Sequence, residues 1–256
     1  MPKIFTTTKT LDAYITANTE DPAEAEYLII GSRPVDMTPF KKLKGIFKCG
    51  VGTDNLPDTD VPIIFPSHKT KEVINNEVAA FTTYLILKLC YRDLGTVIPW
   101  VRSQRQSMLS KNALVIGGGK IGTLVEASLH DICNVEVYDK RYSDPETFEE
   151  SVREADIISM HVPYNDETHE FLDPNLLKKD AILINTARGK LVNEDALYDW
   201  LSNNPKAQAA FDVYWNEPYT GKLLNLSNFH ATPHIASTCD QFLEGLYNDF
   251  LELIKE

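Results

Sequence analysis

The sequence predicts an α/β protein with two domains, and three observations support this fold class. Short apolar runs of strand type alternate with amphipathic segments along most of the 256 residues. A long, largely apolar segment without proline or internal glycine, residues 71–94, separates a group of four such runs from a group of six. Six strands joined by crossovers match a doubly wound parallel sheet, so the second group predicts the larger domain.

The first group predicts a small α/β unit, and residues 71–94 predict a buried helix that leads from this unit to the next domain. The strands of the small unit are expected at residues 3–7, 27–30, 45–48 and 62–65, with amphipathic helical pieces at 10–17 and 38–43.

The second group begins after a polar connector at residues 103–111. Its strands are expected at residues 113–116, 135–138, 156–160, 181–185, 209–213 and 229–232. Helices are expected at residues 144–154 and 193–201, the second with Asn193 as its N-cap. The tail, residues 240–255, predicts a further helix, because four large apolar residues recur there at helical spacing and form a core-facing stripe. They are Phe242, Leu246, Phe250 and Leu253.

Composition and charge exclude several classes of partner. The net charge of −12 and the pI near 5.0 would repel nucleic acid and anionic membrane surfaces. The four cysteines are far apart and include no C-x-x-C pair, so no metal site is predicted, and they are typical of a reduced, cytoplasmic enzyme. The first ten residues do not resemble a secretory signal, and the longest apolar segment is too short to span a bilayer.

A glycine-rich turn is the most informative motif. Gly117, Gly119 and Gly122 form a G-x-G-x-x-G pattern between a predicted strand and a predicted helix. The amides of such a turn can approach a pyrophosphate at the positive end of the helix dipole. Asp139, at the end of the next strand, is placed to bind a ribose hydroxyl. The motif therefore predicts a dinucleotide cofactor.

The acid at position 139 also indicates which dinucleotide. Asp139 favours NAD over NADP, because a carboxylate there would repel a 2′-phosphate. Lys140 and Arg141 follow at once, and their positive charges weaken that preference.

Three segments at the carboxyl ends of later strands carry side chains suited to one reaction. Residues 185–189 contain Arg188, residues 212–218 contain Glu217 and residues 232–237 contain His234. In open α/β sheets such segments lie at one edge, so the three side chains can converge. A histidine can transfer the hydroxyl proton, a carboxylate can support its imidazolium, and an arginine can bind a substrate carboxylate. This combination predicts a 2-hydroxy acid dehydrogenase site.

These segments resemble the D-isomer-specific 2-hydroxyacid dehydrogenase family, most densely over residues 113–237 and more weakly over residues 48–55. The resemblance implies that Arg188, Glu217 and His234 are catalytic, with His234 as the general acid and base. It also implies that amides of the turn at Val51 and Gly52 bind the substrate carboxylate together with Arg188. The implied reaction is the NAD-dependent interconversion of a small D-2-hydroxy acid and its 2-oxo acid.

The resemblance further implies how the cofactor lies. Residues 160–163 would pass beside its adenosine half, and Asp212 would face the nicotinamide carboxamide. The predicted cofactor-binding residues are Gly117, Gly119, Lys120, Ile121, Gly122, Asp139, His161, Val162, Pro163, Thr186, Ala187, Asp212 and Ala236.

Two Rossmann-like domains are the architecture that the resemblance implies. Residues 73–237 would form the NAD-binding domain, and residues 1–72 with 238–256 a smaller, flavodoxin-like substrate domain, with the active site in the cleft between them. A homodimer is expected by the same resemblance.

Two alternatives to this function remain open at the level of sequence. The same arginine, glutamate and histidine resemble phosphite dehydrogenase, whereas formate dehydrogenases typically have glutamine in place of Glu217. A non-enzymatic, NAD(H)-sensing module like the corepressors of this fold is the other alternative, although no added recruitment tail is recognisable.

Overall fold

Two parallel sheets organise the chain, whose computed structural model describes residues 2–15 and 19–255. The chain divides into two units, one formed by Met1–Glu77 with Ser237–Glu256 and the other by Val78–Ala236. The assignment of a substrate role to residues 1–72 with 238–256 and of a cofactor role to residues 73–237 stays a prediction. No helix in the described part of the chain is long and apolar enough to cross a membrane.

The first unit contains a sheet of four parallel strands in the order β1-β2-β3-β4. The strands are β1 (Ile4–Thr6), β2 (Tyr27–Ile30), β3 (Gly45–Lys48) and β4 (Ile63–Ile64). Every residue of β2 and β3 is buried, as expected for parallel strands that are covered on both faces. These four strands follow chain order, without the reversal between the first two strands that a flavodoxin-like order has.

The two short helices predicted in this unit are not formed in the described residues, where the chain makes turns instead. Residues 10–14 form turns, in which Leu11 accepts a hydrogen bond from the Ile15 amide at 2.8 Å, and residues 16–17 of the predicted helix lie outside the described part. At residues 38–43 the chain makes a turn at Thr38 and Pro39 and then runs irregularly. Segments of six to eight residues cannot offset the unfavourable nucleation of a helix without extensive packing, which explains both differences.

Helix α1 (His68–Cys90) confirms the long helix but ends earlier than predicted. A small antiparallel hairpin of β5 (Gly95–Thr96) and β6 (Val101–Arg102) follows it, and the sequence did not predict this hairpin. The Asp93 carboxylate accepts a hydrogen bond from the Gly95 amide at 3.1 Å, and Gly95 has a φ of 91°. This turn directs the chain away from the helix axis, because glycine readily adopts such backbone angles.

The second unit contains the predicted sheet of six parallel strands. They are β7 (Asn112–Ile116), β8 (Asn134–Tyr138), β9 (Ile157–Met160), β10 (Ile182–Asn185), β11 (Gln208–Phe211) and β12 (Phe229–Ala231). Their order is β12-β11-β10-β9-β7-β8. The strand that follows β7 in the chain, β8, therefore lies at the sheet edge on one side of β7, and the next strand, β9, lies on the other side, so the strand order reverses at β7. In such sheets ligands bind at the carboxyl ends of the strands beside this reversal, which lies where β7 ends.

Helices flank this sheet and complete its core. They are α2 (Lys120–Leu129), α3 (Phe148–Glu154) and α4 (Glu194–Asn203). The predicted N-cap of α4 is confirmed, because the Asn193 side chain accepts a hydrogen bond from the Ala196 amide at 2.9 Å.

The tail forms α5 (Asp240–Leu253), which belongs to the first unit. Phe242, Leu246 and Phe250 of the predicted apolar stripe are buried. The ring of Phe250 packs edge-on against Phe47 of β3, with 5.6 Å between the ring centroids. This burial, rather than helix propensity alone, stabilises the tail.

Candidate active site

The glycine turn after β7 has the geometry of a dinucleotide-binding turn. Gly117 has a φ of 106°, and a Cβ there would lie 2.6 Å from the carbonyl oxygen of His161. A Cβ on Gly122 would lie 1.9 Å from the carbonyl oxygen of Gly117, so α2 can pack on β7 only when position 122 lacks a side chain. At Gly119, by contrast, no described atom lies within 4 Å of a Cβ position. The outer glycines therefore serve packing, and the middle one leaves open space for a ligand.

The amino terminus of α2 faces this open space. The helix starts at Lys120, and its N-cap, Gly119, makes no side-chain cap hydrogen bond. The first amides of a helix lack partners within the helix, and they carry the positive end of its dipole. Lys120 and Ile121 thus place amides where the pyrophosphate of a dinucleotide would bind, and the glycine cradle fits that group.

Asp139 follows β8 and is hydrogen-bonded on both carboxylate oxygens. The carboxylate accepts bonds from the Gly118 amide at 2.8 Å, from the Arg141 amide at 3.0 Å, and from the Arg141 guanidinium at 2.6 and 2.8 Å. The hydrogen bonds from Arg141 hold the pKa of the Asp139 carboxyl well below its usual range, although partial burial opposes this. Sequence reasoning anticipated Asp139 but not the pairing with Arg141.

His161, Val162 and Pro163 follow β9 beside the glycine turn. The His161 amide donates to the Ile116 carbonyl at 2.7 Å, and its ring nitrogen Nε2 lies 2.8 Å from the Ser159 hydroxyl. Burial lowers the pKa of His161 to about 4, so the ring is neutral at physiological pH. A neutral, hydrogen-bonded ring fits the wall of an adenosine pocket better than the role of a proton donor.

Arg188 lies in the segment after β10, which the Asn185 side chain holds in place. That side chain donates to the Arg188 carbonyl at 2.8 Å and accepts from the Ala187 amide at 3.0 Å. Thr186 is also fixed, because its hydroxyl lies 2.8 Å from that of Thr82 on α1. The next residue, Gly189, lies against the segment after β11 so closely that a Cβ would be 2.2 Å from the Tyr214 carbonyl carbon. These contacts bring the segment of Arg188 to that of Glu217.

Glu217 and His234 form a bidentate pair. The ring nitrogen Nδ1 of His234 lies 2.9 Å from each carboxylate oxygen of Glu217, and the two side chains are 35% and 22% exposed. Burial raises the pKa of Glu217, but the hydrogen bond and charge of His234, the Tyr214 amide and the charge of Arg188 lower it overall. Glu217 is therefore ionised at neutral pH and favours a proton on the imidazole. His234 adopts a φ of 54°, an uncommon value for a residue with a side chain.

Asp212 fixes the segment that carries His234. Its carboxylate is fully buried and accepts bonds from the Thr232 hydroxyl at 2.6 Å and from the amides of Ile235 and Ala236 at 2.9 Å. Three donors around one buried acid lock the turn on both sides of His234. The predicted contacts of Asp212 and Ala236 with the cofactor stay predictions.

The structure thus brings together Arg188, Glu217 and His234 in the second unit, at the same strand edge as the glycine turn. Val51 and Gly52 lie in the first unit after β3, where Gly50 has a φ of 138° and Val51 is exposed. Their contact with a substrate stays a prediction. Among the described residues, no cluster of three or more His, Cys, Asp or Glu side chains has the arrangement of a metal site.

The sequence analysis did not identify the residues whose hydrogen bonds hold the segments of this site in place. Asn185 and Tyr214 lie within the predicted segments 185–189 and 212–218 but were given no role there. The Tyr214 hydroxyl lies within hydrogen-bond distance of the carbonyl oxygens of Phe211 and Thr232, at 2.9 and 2.8 Å. A polar residue at the last position of a buried strand, as at Asn185, was the available signal, since a buried amide must find partners.

The sheet reversal, the glycine turn and the acid after β8 define the class of α/β domains that bind a dinucleotide. Residues 98–236, just over half of the chain, match the model of the NAD-binding domain of the D-isomer specific 2-hydroxyacid dehydrogenases. The chain therefore belongs to this family, as the sequence predicted.

Individual relatives share moderate identity with the chain. It is 30% identical to a glyoxylate reductase of Thermofilum pendens over 81% of this chain and 69% of that protein. It is 27% identical to D-3-phosphoglycerate dehydrogenase 2 of Arabidopsis thaliana over 91% of this chain, but spans only 42% of that protein. Several other curated relatives also extend well beyond the matched region, which covers less than half of their length.

The fold is shared with solved structures over nearly the whole chain. The structure of D-lactate dehydrogenase from Aquifex aeolicus, complexed with NAD and lactic acid, aligns with a TM-score of 0.78. The alignment covers 98% of this chain and 94% of that one at 23% identity, so the likeness concerns the fold.

Proposed function

We propose that the chain is an NAD(H)-dependent oxidoreductase that interconverts a small D-2-hydroxy acid and its 2-oxo acid. The bidentate pair of Glu217 and His234 beside Arg188 supports this proposal most strongly, because it places a carboxylate-supported proton donor next to a cation. The family names of the relatives, which include a glyoxylate reductase and a D-lactate dehydrogenase, agree with this reaction class.

The proposed mechanism divides two tasks between these side chains, while the bound cofactor supplies or takes the hydride. Glu217 occupies Nδ1 of His234, so Nε2 is the atom that gives a proton to the carbonyl oxygen of the 2-oxo acid, or takes one from the hydroxyl in the reverse direction. Arg188 binds the substrate carboxylate through its planar fork, and we assign the amides of Val51 and Gly52 to the same carboxylate.

The pH dependence of the reaction follows from Glu217. Its lowered pKa keeps the carboxylate ionised at neutral pH, so His234 keeps its negative partner there. When the pH falls below the ordinary pKa of a glutamate, about 4.3, protonation of Glu217 removes that partner, and turnover is expected to slow in both directions. Measurement of kcat/KM against pH in both directions checks this.

A substrate panel tests the proposal. NADH oxidation is followed at 340 nm with glyoxylate, pyruvate, hydroxypyruvate and larger 2-oxo acids, and NAD reduction is followed with phosphite. Turnover of a 2-oxo acid to the D product supports the proposal. Turnover of phosphite alone would favour a phosphite dehydrogenase, and tight NADH binding without turnover would favour a sensing module.

We also propose that the chain forms a homodimer through its hairpin, and that it acts in the cytoplasm. Five apolar side chains in and beside β5 and β6 are between 52% and 91% exposed. They are Leu94, Val97, Ile98, Trp100 and Val101. Covering these side chains would bury roughly 600 Å² per chain, and a twofold pair would reach the lower range of stable interfaces. A two-stranded hairpin is also marginally stable unless something packs on it.

Replacing Ile98 and Trp100, which are 91% and 72% exposed, tests the dimer. We expect the double variant Ile98→Asp and Trp100→Asp to elute as a monomer in size-exclusion chromatography with light scattering, while the unmodified chain elutes as a dimer. Leu224→Asp, at an apolar residue that is 49% exposed elsewhere in the second unit, is the control and should stay dimeric. A monomeric unmodified chain at micromolar concentration would contradict the proposal.

A further inference from the structure

A pocket in the second unit lies at the end of the six-stranded sheet that is opposite to the glycine turn. Its cavity of about 150 Å³ is lined by residues that begin or precede β7, β10 and β11 and by residues at the end of α1. The glycine turn and the segment of Arg188 follow the carboxyl ends of β7 and β10. These strands have four or five residues at about 3.3 Å each, so the two ends lie roughly 13 Å or more apart. The pocket is therefore separate from the candidate active site.

Four cationic side chains from separate parts of the chain line this pocket. Arg92 follows α1, and Arg105 lies in the connector before β7. Lys111 directly precedes β7, and Lys206 lies in the turn before β11. Among the described residues of the lining, Asp180 is the only acid. The pocket thus has an excess of positive charge in a chain whose net charge is −12.

The carboxylates near these cations are held by other groups. Asp93 accepts hydrogen bonds from two residues in and beside the hairpin. Asp156 is bound by the Lys178 ammonium group at 3.0 Å. The Arg105 guanidinium lies over the ring of Tyr91, 4.8 Å from its centroid. Within residues 2–15 and 19–255, none of the four cations forms an ion pair with a carboxylate. Their charges are available to an anion.

The floor of the pocket is apolar and strengthens the attraction of an anion. Leu89, Met108 and Ile182 line it and are buried. Burial also raises the pKa of the Cys90 thiol to about 11, although the charge of Lys111 opposes this shift. The thiol is therefore neutral and adds no negative charge. Low-dielectric walls reduce the solvent screening of the cations above them, so an anion between these cations is bound more strongly than on an open surface.

We propose that this pocket binds a small anion with two or more phosphate or carboxylate groups. Arg92 and Arg105 carry planar forks that pair with two oxygens of such a group, and Lys111 and Lys206 add compact charges. The cavity exceeds several times the roughly 30 Å³ that one water molecule occupies, so it admits such a group. This binding site is independent of the proposed catalytic function.

Isothermal titration calorimetry with pyrophosphate and, separately, with citrate tests the site. Saturating ADP-ribose is present to occupy the glycine turn, and the salt is kept at about 50 mM NaCl to limit screening. We expect one anion per chain with a Kd below about 1 mM. The double variant Arg92→Gln and Lys206→Gln should raise this Kd at least tenfold, roughly the effect of losing two charged contacts.

A second double variant controls for the change in net charge. Arg153→Gln with Lys222→Gln removes the same two charges from exposed ion pairs with Glu149 and Asp195 elsewhere in the second unit. It should change the Kd by less than about twofold, because exposed charges at a distance are screened. A melting curve checks that each variant is folded.

Replacing the acid of the lining should have the opposite effect. Asp180→Asn removes a repulsive charge and is expected to lower the Kd about threefold. Such a gain of affinity cannot result from misfolding. Asp131→Asn, at a side chain that is 99% exposed, removes the same charge elsewhere and should leave the Kd unchanged.

Three results would overturn this inference. The first is the absence of binding of either anion at about 10 mM. The second is equal weakening by the two double variants, which would assign the effect to net charge. The third is loss of binding when ADP-ribose is added, which would place the anion at the glycine turn. Each of these leaves the oxidoreductase proposal intact. Tighter binding of pyrophosphate than of citrate supports phosphate as the recognised group, and the reverse order supports carboxylate.

Discussion

Replacement of His234 by alanine is expected to lower kcat for 2-oxo acid reduction by about 10³-fold, the usual contribution of a positioned general acid. The Kd of NADH should change little, because the described contacts of the His234 side chain are with Glu217 rather than with the glycine turn. The effect should therefore appear in kcat and not in cofactor binding. Stopped-flow turnover and NADH fluorescence titration measure the two quantities.

His169→Ala is the matched control for this variant. His169 is exposed, and its described ring contacts are with the Tyr164 hydroxyl at 3.4 Å and with the carboxylate of the neighbouring Glu170. We expect it to retain full activity. A His234→Ala protein that is folded and keeps more than about a tenth of the original kcat would show that another group transfers the proton.

Replacement of Gly122 by alanine has the second large expected effect, on the fold of the second unit and on cofactor binding together. A methyl group at position 122 would lie 1.9 Å from the carbonyl oxygen of Gly117, so α2 must move away from β7. Overpacking of this kind costs about 2 to 3 kcal/mol, or a fall of roughly 5 to 10 °C in Tm. The displaced helix amides should also weaken NADH binding by more than about tenfold.

Gly119→Ala separates binding from packing at the same turn. In the described chain nothing lies within 4 Å of the added methyl group, and the φ of −78° suits alanine. Stability should change by less than about 1 kcal/mol, while NADH affinity falls because the methyl group stands between the helix amides and the pyrophosphate. Differential scanning fluorimetry and NADH titration measure the two effects. Equal destabilisation by both substitutions would contradict the roles assigned to the two glycines.

Much of the fold could be predicted from local sequence pattern. All ten main strands lie where apolar runs predicted them, and the helices α1, α3, α4 and α5 lie within predicted segments or overlap them closely. Helix boundaries differ from the predicted ones where a local turn follows. Helix α1 ends at Cys90 and not at residue 94, because the chain then turns at Asp93 and Gly95. The hairpin was missed because each of its strands is only two residues long and carries no periodic pattern.

By itself, the sequence determined the α/β class and the glycine turn and predicted Arg188, Glu217 and His234 as the catalytic residues, because strand periodicity and short motifs are encoded among neighbouring residues. Only the tertiary structure decided which distant groups meet. Asp212 binds amides 23 and 24 residues away, and Gly118 donates to an acid 21 residues further on. Such contacts depend on the order of strands in the sheet, which places the ends of separate strands side by side and is not set by any local pattern.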